Sequence, residues 1–548
     1  MKIYNTLTRK KAPLTPITPG EIKMYTCGQT VYNDIHIGNA RFYVAYDTIR
    51  RYLEYKGYNV NYVQNFTDID DKLIARANEE NTTVAALADK YISRTLQDLE
   101  SLNVKPDPPE KRPRATKVMS EIIAMIEELI ASGNAYEKNG SVYFNTTTAP
   151  DYGKLSKKNI DDLLAGARIE VSKEKLNPTD FILWKPAKEG EHDAPGQSWP
   201  SPWGKGRPGW HIECSAMVRK YLGEEIDIHG GGSDLIFPHH ENEIAQSEAA
   251  NNCNYARVWM HSGLITVGHK KMSKSQGNFK TLRQLAEKFS HDVIRFFLVS
   301  GHYRMPMEFT DEVLEAAEQG LKRVANCWHN LTHALETHAL EAQSNDDTAA
   351  NPDTNPSTMQ NSAQHVAANT TFQHSVDNFV RDFEQAMDDD FNTADAVTAV
   401  YELVRFANKH LQEFSGADIR YVLEKMKLLC STVLGVKMPP TILLRFNRSV
   451  TSGIYSSAQK MLHSEPDEKY ETREKSKSRE KSQISATSAN DTESTTTISD
   501  DEINALISQR KAARADKNFA ESDRIRDLLK AQGVILEDTP QGQRWHRA

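Results

Sequence analysis

Cysteine is scarce in this chain: five residues in 548, widely scattered. That excludes a disulfide framework and points to a reducing compartment, so a cytoplasmic location is expected. Long apolar runs are also missing. No stretch approaches the roughly 20 apolar residues of a membrane helix, and no membrane partner is expected. The opening MKIYNTLTRK carries no apolar h-region, so no secretory signal is read there. Positive charge is not in excess: 67 Lys and Arg stand against 75 Asp and Glu, a formal charge of −8. Global charge therefore gives no sign of a nucleic-acid partner. Aromatic residues vanish between Tyr470 and Phe519. The polar stretch around 464–500 reads as a linker, because it cannot bury enough apolar surface to fold. Length, at about 150 residues per domain, predicts three or four domains.

What is present is patterned. EIKMYTCG reads as a strand, and GNARFYVAYDTIRRYLEYKG as a helix with Phe42, Ala45, Ile49, Tyr52 and Leu53 at helical spacing. Gly57 stands where a C′ cap belongs, and NVNYVQNF returns as a strand. A second β-α-β pattern follows near EIDIHG, ENEIAQSEAA and ARVWMHSG. Two halves of one doubly wound parallel sheet are thus expected, separated by an insertion of about a hundred residues. The region from 310 to 445 has helical periodicity, interrupted by SNDDTAANPDTNPSTMQNSAQ, which is expected to be a flexible loop. VILEDTPQGQRW near the end reads as a small hairpin.

Two motifs suit phosphate. HIGNAR, His36 to Arg41, lies between the first strand and its helix. Gly38 lets backbone approach a ligand, the helix N-terminus favours anions, and His36 can donate to a phosphate oxygen. KKMSKSQGN, Lys270 to Asn278, is a basic loop before a helix. Lys271 and Lys274 there can stabilise the charge that spreads over a triphosphate during in-line displacement. The bland alternatives are an ordinary βα turn and a solvated Lys/Ser loop. Both motifs in this order, around a split sheet, are the signature of class I aminoacyl-tRNA synthetases.

A third constellation suits a metal. His239 and Glu243 are spaced i, i+4 on a predicted helix. Cys214 lies in GWHIECSAM, and Cys27 ends the first strand. The two cysteines are expected at corresponding strand ends of the two half-sheets. Two Cys, one His and one Glu make a zinc-like donor set. His240 competes with His239, since three-residue spacing is only slightly worse than four. Each residue alone has a plainer reading, as a small buried thiol or a surface pair.

Together these segments resemble the cysteinyl-tRNA synthetase family over nearly the whole chain. The matching stretches are CGQTVYNDIHIGNAR, NFTDIDDK, SPWGKGRPGWHIECSAM, DIHGGGSDLIFPHHENEIAQSEA, KKMSKSQGN, MDDDFNT and LEDTPQGQRW. The resemblance implies an α/β fold. A split Rossmann-like parallel sheet would form the catalytic domain (1–115 and 206–310) around a connective insertion (116–205). An α-helical bundle (311–445, flexible at about 340–375), a polar linker (446–500) and a small C-terminal α+β anticodon-binding domain (501–548) would follow. It implies zinc on Cys27, Cys214, His239 and Glu243, which selects His239 over His240. It implies ATP contacts from His36, Gly38, Asn39, Lys271 and Lys274, with Mg2+ accompanying ATP. Thr67 and Trp210 would line the cysteine pocket. Arg514, Asp523, Arg526, Asp538 and Trp545 would meet the anticodon. The implied partners are L-cysteine, ATP and tRNA(Cys), and the implied state is a monomer. The implied reaction passes through a cysteinyl-adenylate and releases AMP and pyrophosphate. Two features depart from the family. Gln29 stands where it usually has Pro, which restores a backbone N–H beside a zinc ligand. Asn39 fills the fourth position of the first motif, a common variant. Two alternatives share these features: a cysteine ligase paralogue acting on an amino-sugar acceptor, and an inactive tRNA-binding paralogue.

Overall fold

The computed structural model describes residues 1–158, 174–188, 190–191, 196–268, 270–271, 279–346, 358–438, 500–515, 522, 524–526, 528–529, 532, 534–539 and 542–547. The chain divides into two compact units, Met1–Tyr455 and Ser456–Ala548.

In the first unit a hairpin of β1 (Lys2–Asn5) and β2 (Lys10–Pro13) precedes β3 (Glu21–Thr26). Helix α1 (Ile37–Tyr55) then leads to β4 (Asn59–Gln64). Ile37, Ala40, Val44, Ile49, Tyr52 and Leu53 of α1 are all buried, a wide apolar stripe that seats the helix on the sheet. Gly57, at φ +89°, ends it in the left-handed region, where a side chain would be strained. Helices α2 (Asp71–Glu79), α3 (Val84–Ser101) and α4 (Met119–Ala131) follow.

The insertion contains an antiparallel sheet of β5 (Ala135–Lys138), β6 (Ser141–Phe144), β7 (Phe181–Pro186) and β8 (Gly206–Pro208), paired in that order. Its buried residues and those of α4 share one apolar cluster with Tyr25, Cys27 and Cys214. The insertion is therefore packed onto the same side of the core as the candidate metal donors.

Helix α5 (Trp210–Leu222), β9 (Ile226–Gly232), α6 (Glu241–Asn251) and β10 (Ala256–Ser262) form the second half. The four long strands make one parallel sheet in the order β10-β9-β3-β4. Met24 pairs with Ile228 and Thr26 with Gly230, so the halves join at β3 and β9. From that seam α1 carries the chain outward to β4, and α6 carries it the other way to β10. The crevice at the carboxyl ends of such a pair is where doubly wound sheets bind ligands.

Short strands β11 (Ile265–Val267) and β12 (Lys270–Lys271) lead to α7 (Leu282–Ala286), α8 (His291–Val299) and β13 (Met307–Glu308). A bundle of α9 (Asp311–Asp346), α10 (Thr358–Asp388), α11 (Thr393–His410) and α12 (Gly416–Met426) completes the unit. Its core is continuous with that of α1 and α8.

Of the flexible loop expected at about 340–375, the parts up to 346 and from 358 are helical and not loop, and residues 347–357 lie outside the described residues. Helix propagates from packed segments at little cost once nucleated. A lack of aromatics shows weak packing, not weak helix. The polar linker at 446–500 lies outside the described residues, save Asp500.

The second unit contains α13 (Asp500–Ala515) and the expected hairpin, β14 (Val534–Thr539) against β15 (Gly542–Arg547). Ile503, Ile525, Leu529 and Val534 form its small core.

Candidate metal centre and nucleotide site

Cys27 follows β3 directly, and its N–H bonds to Gly230 O of β9 across the seam. Cys214 lies in the second turn of α5, not at a strand end as expected. Every residue from Ile212 to Val218 is buried, so the helix has no polar stripe to betray its period. His239 sits in the turn before α6, and Glu243 in its first turn. Donor atoms of these four buried residues all lie within 4.8 Å of one another. Cys27 Sγ is 3.7 Å from Cys214 Sγ and 3.2 Å from Glu243 Oε1, and His239 Nε2 is 3.1 Å from that same oxygen. His240 converges instead with Cys27 and His229, and its Nδ1 is held 2.8 Å from His261 Nε2.

Burial opposes charge on all four, and the neighbours decide the outcome. At Cys27, burial pushes the thiol well up, helped by Cys214 and Glu243. At Cys214, the hydrogen bond from Cys27 and the contact with His239 outweigh burial and bring the thiol down to about 6. At His239, burial is outweighed by Glu243 and Cys214, which raise it to about 10. At Glu243, His229 and His239 outweigh burial and hold the carboxyl well below its usual range. Among the described residues, the buried His239 Nε2 and Tyr25 hydroxyl have no well-directed hydrogen-bond partner. Orphaned polar atoms around a two-sulfur, one-nitrogen, one-oxygen donor set fit a tetrahedral zinc ion.

A second ring of side chains supports these donors. His211 Nδ1 lies 2.9 Å from His239 Nδ1. His229 Nε2 lies 2.9 Å from Glu243 Oε2, and the Tyr255 hydroxyl donates to that oxygen at 3.0 Å. Gly231 admits the His240 ring, because a Cβ there would stand 2.5 Å from it. None of His211, His229, Tyr255 and Tyr25 was legible in the sequence. No fixed spacing links 229, 243 and 255, since a strand, a loop and a helix separate them.

Of the two residues expected to line the cysteine pocket, Trp210 touches this centre directly. Trp210, first residue of α5, stacks on His239 with ring centroids 4.1 Å apart. Thr67 is buried, and its N–H bonds to Gln29 O. Gly28 is pressed against the backbone of Asn65; a Cβ would stand 1.7 Å from Asn65 O. The Gln29 side chain donates to Thr95 of α3 at 2.9 Å. The residue that departs from the family pattern is thus tied to a helix instead of relying on a rigid ring.

His36 is the N-cap of α1. Its Nδ1 accepts from the N–H groups of Gly38 and Asn39 at 3.0 and 3.2 Å, and Asn39 Oδ1 accepts from His36 N. Two N–H groups expected to face a phosphate are therefore capped from within the chain. The same bonds fix the tautomer: Nδ1 is an acceptor, so Nε2 carries the proton and is a donor. The chain after the basic loop returns to this point. Leu282 N–H bonds to Ile35 O, and the Phe279 ring meets His36 edge-on at 5.1 Å. Lys271 ends β12. Lys274 lies outside the described residues.

In the second unit, Arg514 is near the end of α13 and Arg526 is exposed in a helical turn. Asp538 pairs with Gln543 and Trp545 with Leu536, two rungs apart on the hairpin. Asp523 lies outside the described residues. The structure brings Cys27, Cys214, His239 and Glu243 together with Trp210 stacked on His239, and Thr67 and His36 belong, like them, to the first unit. It leaves the C-terminal set on the second.

Residues 13–319 match the family described as tRNA synthetases class I (C) catalytic domain. Residues 382–438 match the DALR domain, and 499–545 the cysteinyl-tRNA ligase anticodon binding domain. A cysteine–tRNA ligase of Lachnoclostridium phytofermentans is 44% identical over 549 residues, covering 100% of both chains. One of Brevibacillus brevis is also 44% identical, covering 100% of this chain and 99% of its own. Among solved structures, Mycobacterium tuberculosis methionyl-tRNA synthetase bound by methionyl-adenylate superposes with a TM-score of 0.53 at 17% identity. That match covers 76% of this chain and 92% of the other, and at such identity it speaks for the fold alone. With relatives matched from end to end and a catalytic-domain match over more than half its residues, the chain belongs to the class I cysteine–tRNA ligases.

Proposed function

We propose that this chain ligates L-cysteine to the 3′ end of tRNA(Cys) in two steps. In the first, the cysteine carboxylate attacks the α-phosphorus of ATP, the bond to the β-phosphate oxygen breaks, and pyrophosphate leaves. In the second, a hydroxyl of the terminal ribose attacks the carbonyl of the cysteinyl-adenylate, and AMP leaves. The carboxylate is already ionised near neutral pH, so the first step needs no general base. The observation that carries the reading is the convergence of four buried donors, with Trp210 stacked on His239, one of them.

His36 acts as a neutral donor through Nε2 toward a phosphate oxygen, with Gly38 and Asn39 holding its ring. Lys271 and Lys274 offset the charge on the departing pyrophosphate, and Mg2+ accompanies ATP. Cys27, Cys214, His239 and Glu243 hold one zinc ion, which when bound favours a thiolate over a hydroxyl. Trp210 and Thr67 close the pocket around the small side chain. A pocket that only measures size gains about 1–3 kcal/mol per methylene-scale difference, so a donor set that distinguishes sulfur from oxygen removes the need for an editing step. Arg514, Asp523, Arg526, Asp538 and Trp545 offer hydrogen-bonding and stacking groups to unpaired anticodon bases. The protein works as a cytoplasmic monomer in this reading. The matched anticodon-binding region disfavours an amino-sugar acceptor.

The test is cysteine-dependent ATP–pyrophosphate exchange, followed by charging of a transcript with anticodon GCA. Exchange with cysteine but no charging of that tRNA would point to another acceptor. Absence of both would sink the reading.

A further inference from the structure

Glu243 presents its two oxygens to different surroundings. Oε1 faces Cys27 Sγ at 3.2 Å and His239 Nε2 at 3.1 Å, among the other metal donors. Oε2 faces away from them and is doubly engaged, by His229 Nε2 at 2.9 Å and by the Tyr255 hydroxyl at 3.0 Å. His229 comes from β9 and Tyr255 is the residue preceding β10, so two adjacent segments of the second half-sheet grip one carboxylate from behind. All three side chains are buried. The His229 ring stacks on Trp259 with centroids 4.4 Å apart and also meets Tyr255 at 5.3 Å.

We infer that Tyr255 and His229 are positioning residues that commit Oε2 of Glu243 to hydrogen bonds, so that Glu243 meets the metal through Oε1 alone. This rests on the reading of Cys27, Cys214, His239 and Glu243 as a zinc site. A carboxylate can bind a metal through one oxygen or two. With one, Glu243 would count as a single donor beside two sulfurs and one nitrogen and would leave room for a substrate sulfur. With two, the protein would itself take up that room. Two hydrogen bonds on Oε2 raise the cost of turning it inward, because a buried phenol and imidazole would both lose their acceptor. They also hold the carboxylate in place when no substrate is present. Outer partners of this kind typically change metal affinity by about 10- to 100-fold.

Tyr255→Phe removes one hydroxyl and leaves the ring packing, so it is the least disruptive probe. The expected result is about a tenfold or greater rise in the zinc dissociation constant, read by competition with a chromophoric chelator. The KM for cysteine in pyrophosphate exchange should rise while the KM for ATP stays near that of the wild type. His229→Gln keeps a donor near the Nε2 position and should retain zinc better than His229→Leu. Far-ultraviolet circular dichroism identifies any variant that fails to fold. Wild-type protein that retains no zinc would overturn the metal reading and this inference with it. Wild-type protein with one zinc, beside Tyr255→Phe with the same affinity and the same KM for cysteine, would overturn the positioning role alone.

Discussion

Among the described residues of the first unit, two of the buried clusters of charged and polar groups are built in opposite ways. The first is the donor set around Glu243. The second joins Asp47 of α1 to Arg295 of α8. Asp47 Oδ2 accepts from Arg295 at 2.6 Å and from Arg51 at 2.7 Å, while Oδ1 accepts from Lys105 N–H at 2.8 Å. Arg295 spends its other donors on Leu434 O and Leu102 O, both at 2.8 Å. Its guanidinium lies over Gly435, where a Cβ would stand 2.1 Å from it. Asp47 and Arg295 thus find partners within the chain, and the cluster ties α1, the end of α3 and the end of the bundle together. In the metal-donor set the reverse holds: thiols, imidazole and carboxylate face one another, and the His239 Nε2 is left over. Here the satisfied cluster serves as a strut, and the one whose donors face one another fits a site. Satisfaction of donors and acceptors separates the two where burial and charge do not.

The comparison is open to direct attack. Cys214→Ser should abolish stoichiometric zinc, lower cysteine-dependent exchange by orders of magnitude and erode discrimination against serine. Metal analysis and exchange kinetics read this, and full zinc with full discrimination would end the distinction. Deleting 501–548 should leave exchange near wild type and reduce charging strongly, since the deleted unit holds none of the metal donors, Trp210, Thr67 or His36. Equal loss of both would argue against a separate anticodon module. Asp47→Asn should leave zinc at one per chain but cost about 3–5 kcal/mol of stability, because Arg295 keeps a buried charge without its counter-charge. Urea unfolding measures it.

That deficit should also depend on pH. Burial would raise the Asp47 carboxyl, but Arg295 and Arg51 outweigh it and hold it below its ordinary value. A depressed folded-state pKa contributes stability above the unfolded value, near about 3.9, and loses it as pH falls through the folded one. The gap between wild type and Asp47→Asn should stay constant from pH 5 to 8 by this order-of-magnitude estimate and shrink below about pH 4. Smallest of all, Gln29→Pro should destabilise by about 1–2 kcal/mol. The side-chain hydrogen bond to Thr95 is lost together with the backbone N–H that faces the buried Tyr43 hydroxyl, and a stiffer unfolded chain offsets only part of this.

Much of this arrangement was legible in the sequence, and the gaps have physical causes. The two half-sheets showed themselves because β-α-β units repeat a strand–helix–strand pattern over short distances. The C-terminal hairpin showed itself through alternation around a turn. The four donors that converge were picked out by residue type and by the spacing of His239 and Glu243, and the family resemblance chose His239 over His240. Cys214 was assigned the wrong element because α5 is buried on nearly every face. The loop expected at about 340–375 was judged on its lack of packing residues, whereas helix requires only continuity with a packed neighbour. The grip of His229 and Tyr255 on Glu243 was invisible, as was the pairing of Asp47 with Arg295, 248 residues away. Such contacts are made by the tertiary fold between segments that carry no mark of one another.

The seam between β3 and β9 also sets a timetable. Met24 pairs with Ile228, a partner encoded 204 residues later. A ribosome adding about 5–20 residues per second leaves one edge of β3 without its neighbour for roughly 10–40 s. During that interval Cys27 has neither Cys214 nor Glu243 beside it. The nascent first half must therefore survive as an open-edged β-α-β unit, the kind of edge that invites pairing with the wrong chain.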